Sequence, residues 1–139
     1  YIDGIQDLEV NSTDLKYLFK HNYINGIISI LNKYFQNTQL IQCFENKPSL
    51  FYVYDNKKWI IMNNKEFDCV LSNIDKKLLR EFKTWSLEFG EKLYEDEKQM
   101  DQYSKNLQKI LGNNTPRETV ILRVKNKLYN DNKSDDYDY

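Results

Sequence analysis

Few side chains in this sequence have the type and spacing that catalysis requires. His21 is the single histidine, and no nucleophile or carboxylate accompanies it in a recognisable motif, so general acid–base chemistry lacks its second group. Cys69 falls near the start of a predicted long helix, where a helix dipole can favour a thiolate. It precedes Val70 and Leu71 in a segment otherwise devoted to packing, which favours a structural role. We therefore predict that the chain is not an enzyme.

Motifs for metals and cofactors are also missing from the sequence. Cys43 and Cys69 stand 26 positions apart without a CxxC pair, which favours two reduced, buried cysteines over a zinc site or a disulfide framework. The carboxylates of residues 91–101 alternate with lysines and form no calcium-loop pattern. The four glycines form neither GxxxxGK nor GxGxxG. We expect no metal site and no cofactor.

One row of cations could contact phosphate groups. Lys76, Arg80 and Lys83 fall within about 60° of one another, together with Leu87, if each helical residue turns by about 100°. A face of this kind can neutralise the phosphates of a nucleic acid. An ordinary solvated helix face has the same pattern, and it is the interpretation that we favour. Nucleic-acid binding through this row is the alternative function.

Three aromatic residues, Tyr52, Tyr54 and Trp59, could form a binding surface on strands. Aromatic platforms of this kind stack bases or anchor protein interfaces. Packing against helices of the same chain is an equally good explanation, because small sheets are normally covered on one side. We predict that these residues bind a protein partner or a second copy of the chain.

A short antiparallel β-hairpin is predicted to position these aromatic residues. Apolar runs at residues 50–54 and 59–62 flank the polar segment 55–58 (DNKK), which is typical of a hairpin. A loop of those four residues places Tyr54 opposite Trp59 and Tyr52 opposite Ile61. Both faces would then be apolar, so the second face must meet helices or a partner.

Apolar stripes at helical spacing predict about five helices around this hairpin. The first helix follows the candidate caps Asn11, Ser12 and Thr13, and the second covers residues 23–35. The third extends from Asn63 or Asn64 to Gly90, and the fourth covers residues 100–111 before Gly112. The fifth follows the capping box at residues 115–118 (TPRE). Alanine is absent, so packing rather than propensity must hold the helices. The predicted class is α+β, mainly helical.

Length and charge predict one small domain. The chain has 139 residues, enough for a single core, and we expect a globular domain over residues 1–129. Residues 130–139 are acidic and aperiodic, which predicts a disordered tail. The net charge of −1 favours no partner class. No apolar run approaches the ~20 residues that cross a bilayer, so we expect a soluble, intracellular protein without a membrane partner.

Three segments carry a resemblance to a known group of proteins. Residues 41–44 (IQCF), residues 51–59 (FYVYDNKKW) and the long helix ending near Trp85 resemble a domain of uncharacterised proteins from giant DNA viruses of the mimivirus type. That group has a segment like I-x-C-x-D, a strand like LYIKDDNKW and a capped terminal helix. The resemblance covers about residues 40–129. The composition, with seventeen Lys, sixteen Asn and no Ala, fits an AT-rich genome of this kind.

The resemblance implies an accessory interaction domain, because the domain often follows a coiled coil or a zinc finger in those proteins. This chain has Glu45 where many have Asp, and it carries no zinc finger, so a nucleic-acid role does not carry over. Since the sequence begins at Tyr1, we expect it to be one piece of a larger viral protein. The implied location is the host cytoplasm, in the virus factory, or the virion.

Overall fold

Five α-helices make up most of the described structure. The structure is a computed structural model that describes residues 8–37, 41–43, 51–55, 58–89 and 96–132. Its helices are α1 (Ser12–Lys20), α2 (Tyr23–Asn37), α3 (Asn64–Phe89), α4 (Glu97–Ile110) and α5 (Arg117–Asn132), with a 3-10 turn at Gly112–Asn114 between the last two. The prediction of a mainly helical protein is therefore confirmed. Within these ranges, no helix is long and apolar enough to cross a membrane.

Reciprocal side-chain caps begin two of the helices. At α1, Asn11 accepts a hydrogen bond from the Asp14 amide at 3.1 Å, and Asp14 accepts one from the Asn11 amide at 2.9 Å. Asn63 and Glu66 make the same exchange at the start of α3, at 2.8 and 3.2 Å. Each pair satisfies amides that the first turn leaves without helical partners. The candidate caps Asn11 and Asn63 are confirmed.

A left-handed glycine follows α4, as the sequence predicts. Gly112 has a φ of +82°, a conformation that side chains on Cβ disfavour. The chain then turns into α5, which begins one residue after Pro116. The Val120 amide donates to the Pro116 carbonyl at 3.1 Å and forms the first bond of that helix.

The last helix extends further than the sequence predicts. Residues 130–132 were assigned to the disordered tail, but α5 includes them, so that part of the prediction is wrong. Lys127 and Asp131 form an ion pair at 3.0 Å, and the Asn132 side chain donates to Asn32 Oδ1 of α2 at 2.6 Å. These contacts continue the final turn and fasten it to α2. The rest of the predicted tail, residues 133–139, lies outside the described residues.

Helix α3 carries the longest apolar stripe of the core. Its buried members, each at most 5% exposed, recur at steps of three and four residues: Phe67, Val70, Leu71, Ile74, Leu78 and Phe82. Helices α1, α4 and α5 pack against α3, and α2 packs against α1 and α5. Near its end, Phe82 and Trp85 contact the rings of Phe19 from α1 and Tyr103 from α4.

Three short antiparallel strands, β1 (Ile41–Gln42), β2 (Tyr52–Asp55) and β3 (Lys58–Ile61), lie in the order β1-β2-β3. The register pairs Tyr54 with Trp59 and Tyr52 with Ile61, as the pattern of apolar residues predicts. Residues 56–57, between β2 and β3, lie outside the described residues, so the predicted hairpin loop stays a prediction.

The described anchors of β2 and β3 to the helices lie at one end of the strands. Phe51, just before β2, is fully buried, and its ring centroid lies 5.8 Å from that of Phe35 in α2 and 5.9 Å from that of Phe67 in α3. Met62, just after β3, is buried as well. The core therefore holds the ends of β2 and β3 that are remote from residues 56–57.

Helices α1 and α2 approach closely at Gly26. A Cβ atom at this position would lie 2.8–2.9 Å from side-chain atoms of Leu18, nearer than real carbon contacts allow. Helical pattern alone predicts only a slight weakening of α2 at Gly26. The structure shows that the missing side chain lets the two helices pack.

Replacing Gly26 with alanine should test this contact. We expect Gly26→Ala to lower the free energy of unfolding by about 1–3 kcal/mol through overpacking, although alanine favours a helix by about 1 kcal/mol. Urea denaturation followed by circular dichroism measures the change. Ser29→Ala, on the same helix, is the control and should change stability by no more than about 0.5 kcal/mol. A Gly26→Ala protein as stable as the wild type would contradict the close approach.

Candidate functional site

Tyr52, the first of the three predicted partner-binding aromatic residues, is buried. It is 7% exposed, so its prediction as a surface contact is wrong. The reason is its position next to Phe51, at the end of β2 that the core holds. Tyr54 and Trp59 form a pair in the backbone register, and the placement of their side chains lies outside what the structure describes. Their partner-binding role stays a prediction.

Strand β3 exposes apolar side chains on both of its faces. Ile60 is 42% exposed and Ile61 is 48% exposed. Successive residues of a strand point to opposite faces, so each face of β3 has one partly exposed isoleucine, although Tyr52, opposite Ile61, is buried. Met62, the next residue, is buried. Exposure therefore begins as soon as the strand leaves the core.

The backbone of β3 also has an outward-facing edge. The Met62 amide donates to the Phe51 carbonyl at 2.7 Å, which makes Phe51 and Met62 a hydrogen-bonded pair of an antiparallel ladder. Because hydrogen-bonded and non-hydrogen-bonded pairs alternate, the N–H and C=O groups of Trp59 and Ile61 point away from β2. Strand β3 is outermost in the described sheet. We call this backbone edge, with the Ile60 and Ile61 side chains, the β3 edge.

The predicted cation row lies on the outer face of α3. Lys76, Arg80 and Lys83 are all exposed, and they extend over roughly 10 Å at a rise of about 1.5 Å per residue. Within the described ranges, none of the three forms an ion pair. The structure thus brings these three residues together as the sequence predicts. Leu87, predicted to join the row, is 71% exposed.

The remaining candidates for chemistry have structural positions. His21 is the exposed C-cap residue of α1. Burial raises the pKa of the Cys43 thiol to about 11, which makes it a poor nucleophile. Cys69 is exposed, so the prediction that both cysteines are buried is wrong for this one. It lies on the outer face of α3, away from the apolar stripe.

A charged network joins three helices at a site that the sequence did not predict. The Tyr23 hydroxyl of α2 donates to Asp75 Oδ1 of α3 at 2.5 Å. Arg117, the first residue of α5, donates to Asp75 Oδ2 at 2.7 Å and to the Tyr23 hydroxyl at 3.2 Å. Its Nε lies 3.0 Å from Asp68 Oδ1, an ionic contact without the alignment of a hydrogen bond. Every guanidinium nitrogen thus contacts a protein oxygen.

The network shifts the pKa values of two of its members, Tyr23 and Arg117. Burial raises the pKa of the Tyr23 phenol far above its ordinary value, and the neighbouring Asp75 carboxylate raises it further. Burial acts to lower the pKa of Arg117, but its bond to Asp75 and its contacts with Tyr23 outweigh that effect and leave the pKa raised. Tyr23 therefore stays uncharged, and Arg117 stays a cation, at pH values above those at which ordinary side chains lose their protons.

A cavity of about 280 Å³ adjoins the network. Tyr23, Asp75, Arg117 and Thr115 give it a polar side. The apolar side chains that line it come from α3, from the end of α4 and the residue after it, and from α5: Leu79, Ile110, Leu111 and Val120. In the described part of the chain, no group of three or more His, Cys, Asp or Glu residues could hold a metal ion.

Sequence reasoning missed this site because its members are far apart in the chain. Tyr23 and Arg117 are separated by 94 positions, and Asp75 and Arg117 by 42. One signal was available in the composition. Only three of the twenty cations are arginine, and arginine is the cation that can bind several oxygens in fixed directions.

Comparisons with protein-family models, with curated proteins and with solved structures find no match to this chain. The function must therefore be sought in the chain's own surfaces.

The raised pKa of Tyr23 predicts a pH-dependent contribution to stability. Above about pH 10 the phenol of the unfolded chain loses its proton, while the folded chain keeps it, so the free energy of unfolding falls as pH rises. We expect this fall to be steeper in the wild type than in Tyr23→Phe. Urea denaturation at steps from pH 8 to pH 11 measures both slopes. Parallel curves for wild type and Tyr23→Phe would contradict the buried, bonded phenol.

Proposed function

We propose that this chain is a non-enzymatic docking domain that receives an extended segment of a protein partner along the β3 edge. The observation that carries the proposal is the exposure of Ile60 and Ile61 on opposite faces of the outermost described strand. An added strand satisfies outward backbone groups by hydrogen bonds, and its alternate side chains contact those on either face. Both requirements are met at the β3 edge.

The chemistry of the β3 edge defines the partner segment. Natural edge strands are often protected from pairing by lysine or proline, and here lysines occur only at residues 57–58, before the uncharged residues 59–62 (WIIM). Covering the exposed parts of Ile60 and Ile61 would contribute on the order of 1 kcal/mol each. The matching segment is an apolar strand with acidic residues beside the end that meets Lys58.

The proposal also covers the origin of the chain and its location in the cell. The resemblance over residues 40–129 and the AT-driven composition support an α+β interaction domain of a larger giant-virus protein. Its location would be the host cytoplasm or the virion, and its partner another protein of the infected cell or a second copy of the chain.

Charge introduced at the β3 edge should abolish docking. We expect the double variant Ile60→Lys/Ile61→Lys to capture at least tenfold less of the partner protein than the wild type does. The captured amounts are measured by quantitative mass spectrometry after incubation with nuclease-treated lysate of infected cells. Lysine would place desolvated charge under the added strand. Leu122→Lys, at an exposed leucine of α5, is the matched control and should capture wild-type amounts. Circular dichroism verifies that each variant is folded.

A photo-crosslinker placed at position 60 gives an independent measure of the same contact. It should label one continuous segment in the captured protein, and that segment should be apolar and extended. Capture that is equal for the wild type and the double variant, or crosslinks only to charged surface segments, would sink the docking proposal.

Nucleic-acid binding through α3 is the second candidate, and the observation that favours it is the unobstructed row of Lys76, Arg80 and Lys83. Three phosphate contacts predict a slope of log K against log salt of about −2 to −3. Replacement of all three by serine should remove binding of a 20-nucleotide DNA in fluorescence anisotropy. The triple variant of Lys98, Lys105 and Arg123, all exposed, controls for total charge. DNA affinity that does not depend on salt concentration, or an equal loss of DNA affinity in both triple variants, would exclude a specific role for the row.

A further inference from the structure

The cavity beside Arg117 has the size and the walls of a site for a short alkyl chain. Its volume of about 280 Å³ equals that of roughly nine water molecules at about 30 Å³ each, which is small for a nucleotide. Leu79 and Leu111, both in its lining, are 42% and 64% exposed. Because these two side chains are partly exposed to solvent in the free protein, an alkyl group that lies between them would remove apolar surface from water.

The charged groups at the polar side of the cavity and just outside it sum to −1. Asp75 and Arg117 line the cavity, and Asp68, outside the lining, contacts Arg117. Asp68 and Asp75 contact a single cation, Arg117, and the phenol of Tyr23, like an ordinary tyrosine, is neutral at physiological pH. The guanidinium of Arg117 is already engaged by Asp68, Tyr23 and Asp75, so it has little capacity for an anionic ligand. The Asp75 side chain is still 25% exposed, and a carboxylate can accept further bonds.

The end of α4 adds to this negative potential. Ile110, the last residue of the helix, and the following residues Leu111 and Gly112 line the cavity. A helix carries a partial negative charge at its C-terminus, which favours cations within about one turn. The start of α5 also lines the cavity, at Thr115 and Arg117, and its partial positive charge offsets that of the end of α4. The preference for a cation therefore rests on the carboxylates.

We propose that this cavity binds an alkylammonium group, with its alkyl part between Leu79 and Leu111 and its ammonium directed to Asp75. The group belongs either to a free amine or to the side chain of a lysine in another protein. The site is separate from the β3 edge, so it does not depend on the docking proposal.

Titration of the ¹⁵N-labelled chain with three probes of equal size tests the charge preference. The probes are butylammonium, 1-butanol and butyrate, and the readout is the saturable shift of the Gly112 and Thr115 amide signals. We expect butylammonium to bind at least tenfold more tightly than either of the others. Butyrate binding as tightly as butylammonium, or butylammonium shifts that spare Gly112 and Thr115, would overturn the proposal.

Asp75→Asn tests the role of the carboxylate while keeping an oxygen for the Tyr23 hydroxyl. We expect this variant to reduce the preference for butylammonium over 1-butanol to less than threefold. Asp101→Asn, at an exposed position of α4, should leave the preference unchanged. A tenfold preference that survives in Asp75→Asn would also overturn the proposal. If Asp75→Asn does not fold, the three-probe comparison on the wild type still decides it.

Two further probes distinguish the sources of the ammonium group. N-acetyl-lysine methylamide carries the alkylammonium as a protein does, and putrescine carries it as a free amine. Tighter binding of the lysine derivative identifies a partner's lysine as the source, and tighter binding of putrescine identifies a free polyamine. Binding of neither, at concentrations where butylammonium saturates, would contradict both assignments of the source.

Discussion

Burial of the apolar stripe of α3 is the constraint on which the rest of the structure depends. The sequence holds no alanine, so its helices gain little from intrinsic propensity and must be stabilised by contacts between large side chains. Full burial of a leucine or phenylalanine contributes about 1.5–3 kcal/mol, and the stripe buries such residues from Phe67 to Phe82. Helices α1, α4 and α5 take their positions by covering it.

The position of each candidate surface follows from its distance to this stripe. Phe67, at the start of α3, packs on Phe51 and so anchors one end of β2 and β3. Ile60, two residues before the buried Met62, is already 42% exposed. Beside the stripe, Asp75 holds Tyr23 and Arg117 at the edge of a cavity. Opposite the stripe, the cation row faces water. One helix thus positions all three surfaces.

Sequence rules that use neighbouring residues predicted the helices and strands, but they did not predict the contacts between residues far apart in the chain. The spacing of apolar residues and the caps Asn11 and Asn63 were sufficient for the helices, because both depend on residues within one or two turns. The burial of Tyr52 was missed because pattern alone does not show which end of a strand enters the core. The bond between Tyr23 and Asp75 spans 52 positions, and no local signal marks it. The end of α5 was misplaced because contacts with α2, such as Asn132 to Asn32, hold its polar last turn.

Amide hydrogen exchange in β3, measured by NMR on the free chain, tests the open strand edge most directly. The account predicts that the Trp59 and Ile61 amides exchange quickly, because they point away from β2, and that the Ile60 amide between them exchanges slowly, because it bonds to Val53. Addition of the docking partner should slow Trp59 and Ile61 and leave Ile60 unchanged. Slow exchange at Trp59 and Ile61 in the free monomer would show that the edge is already covered and would contradict the account.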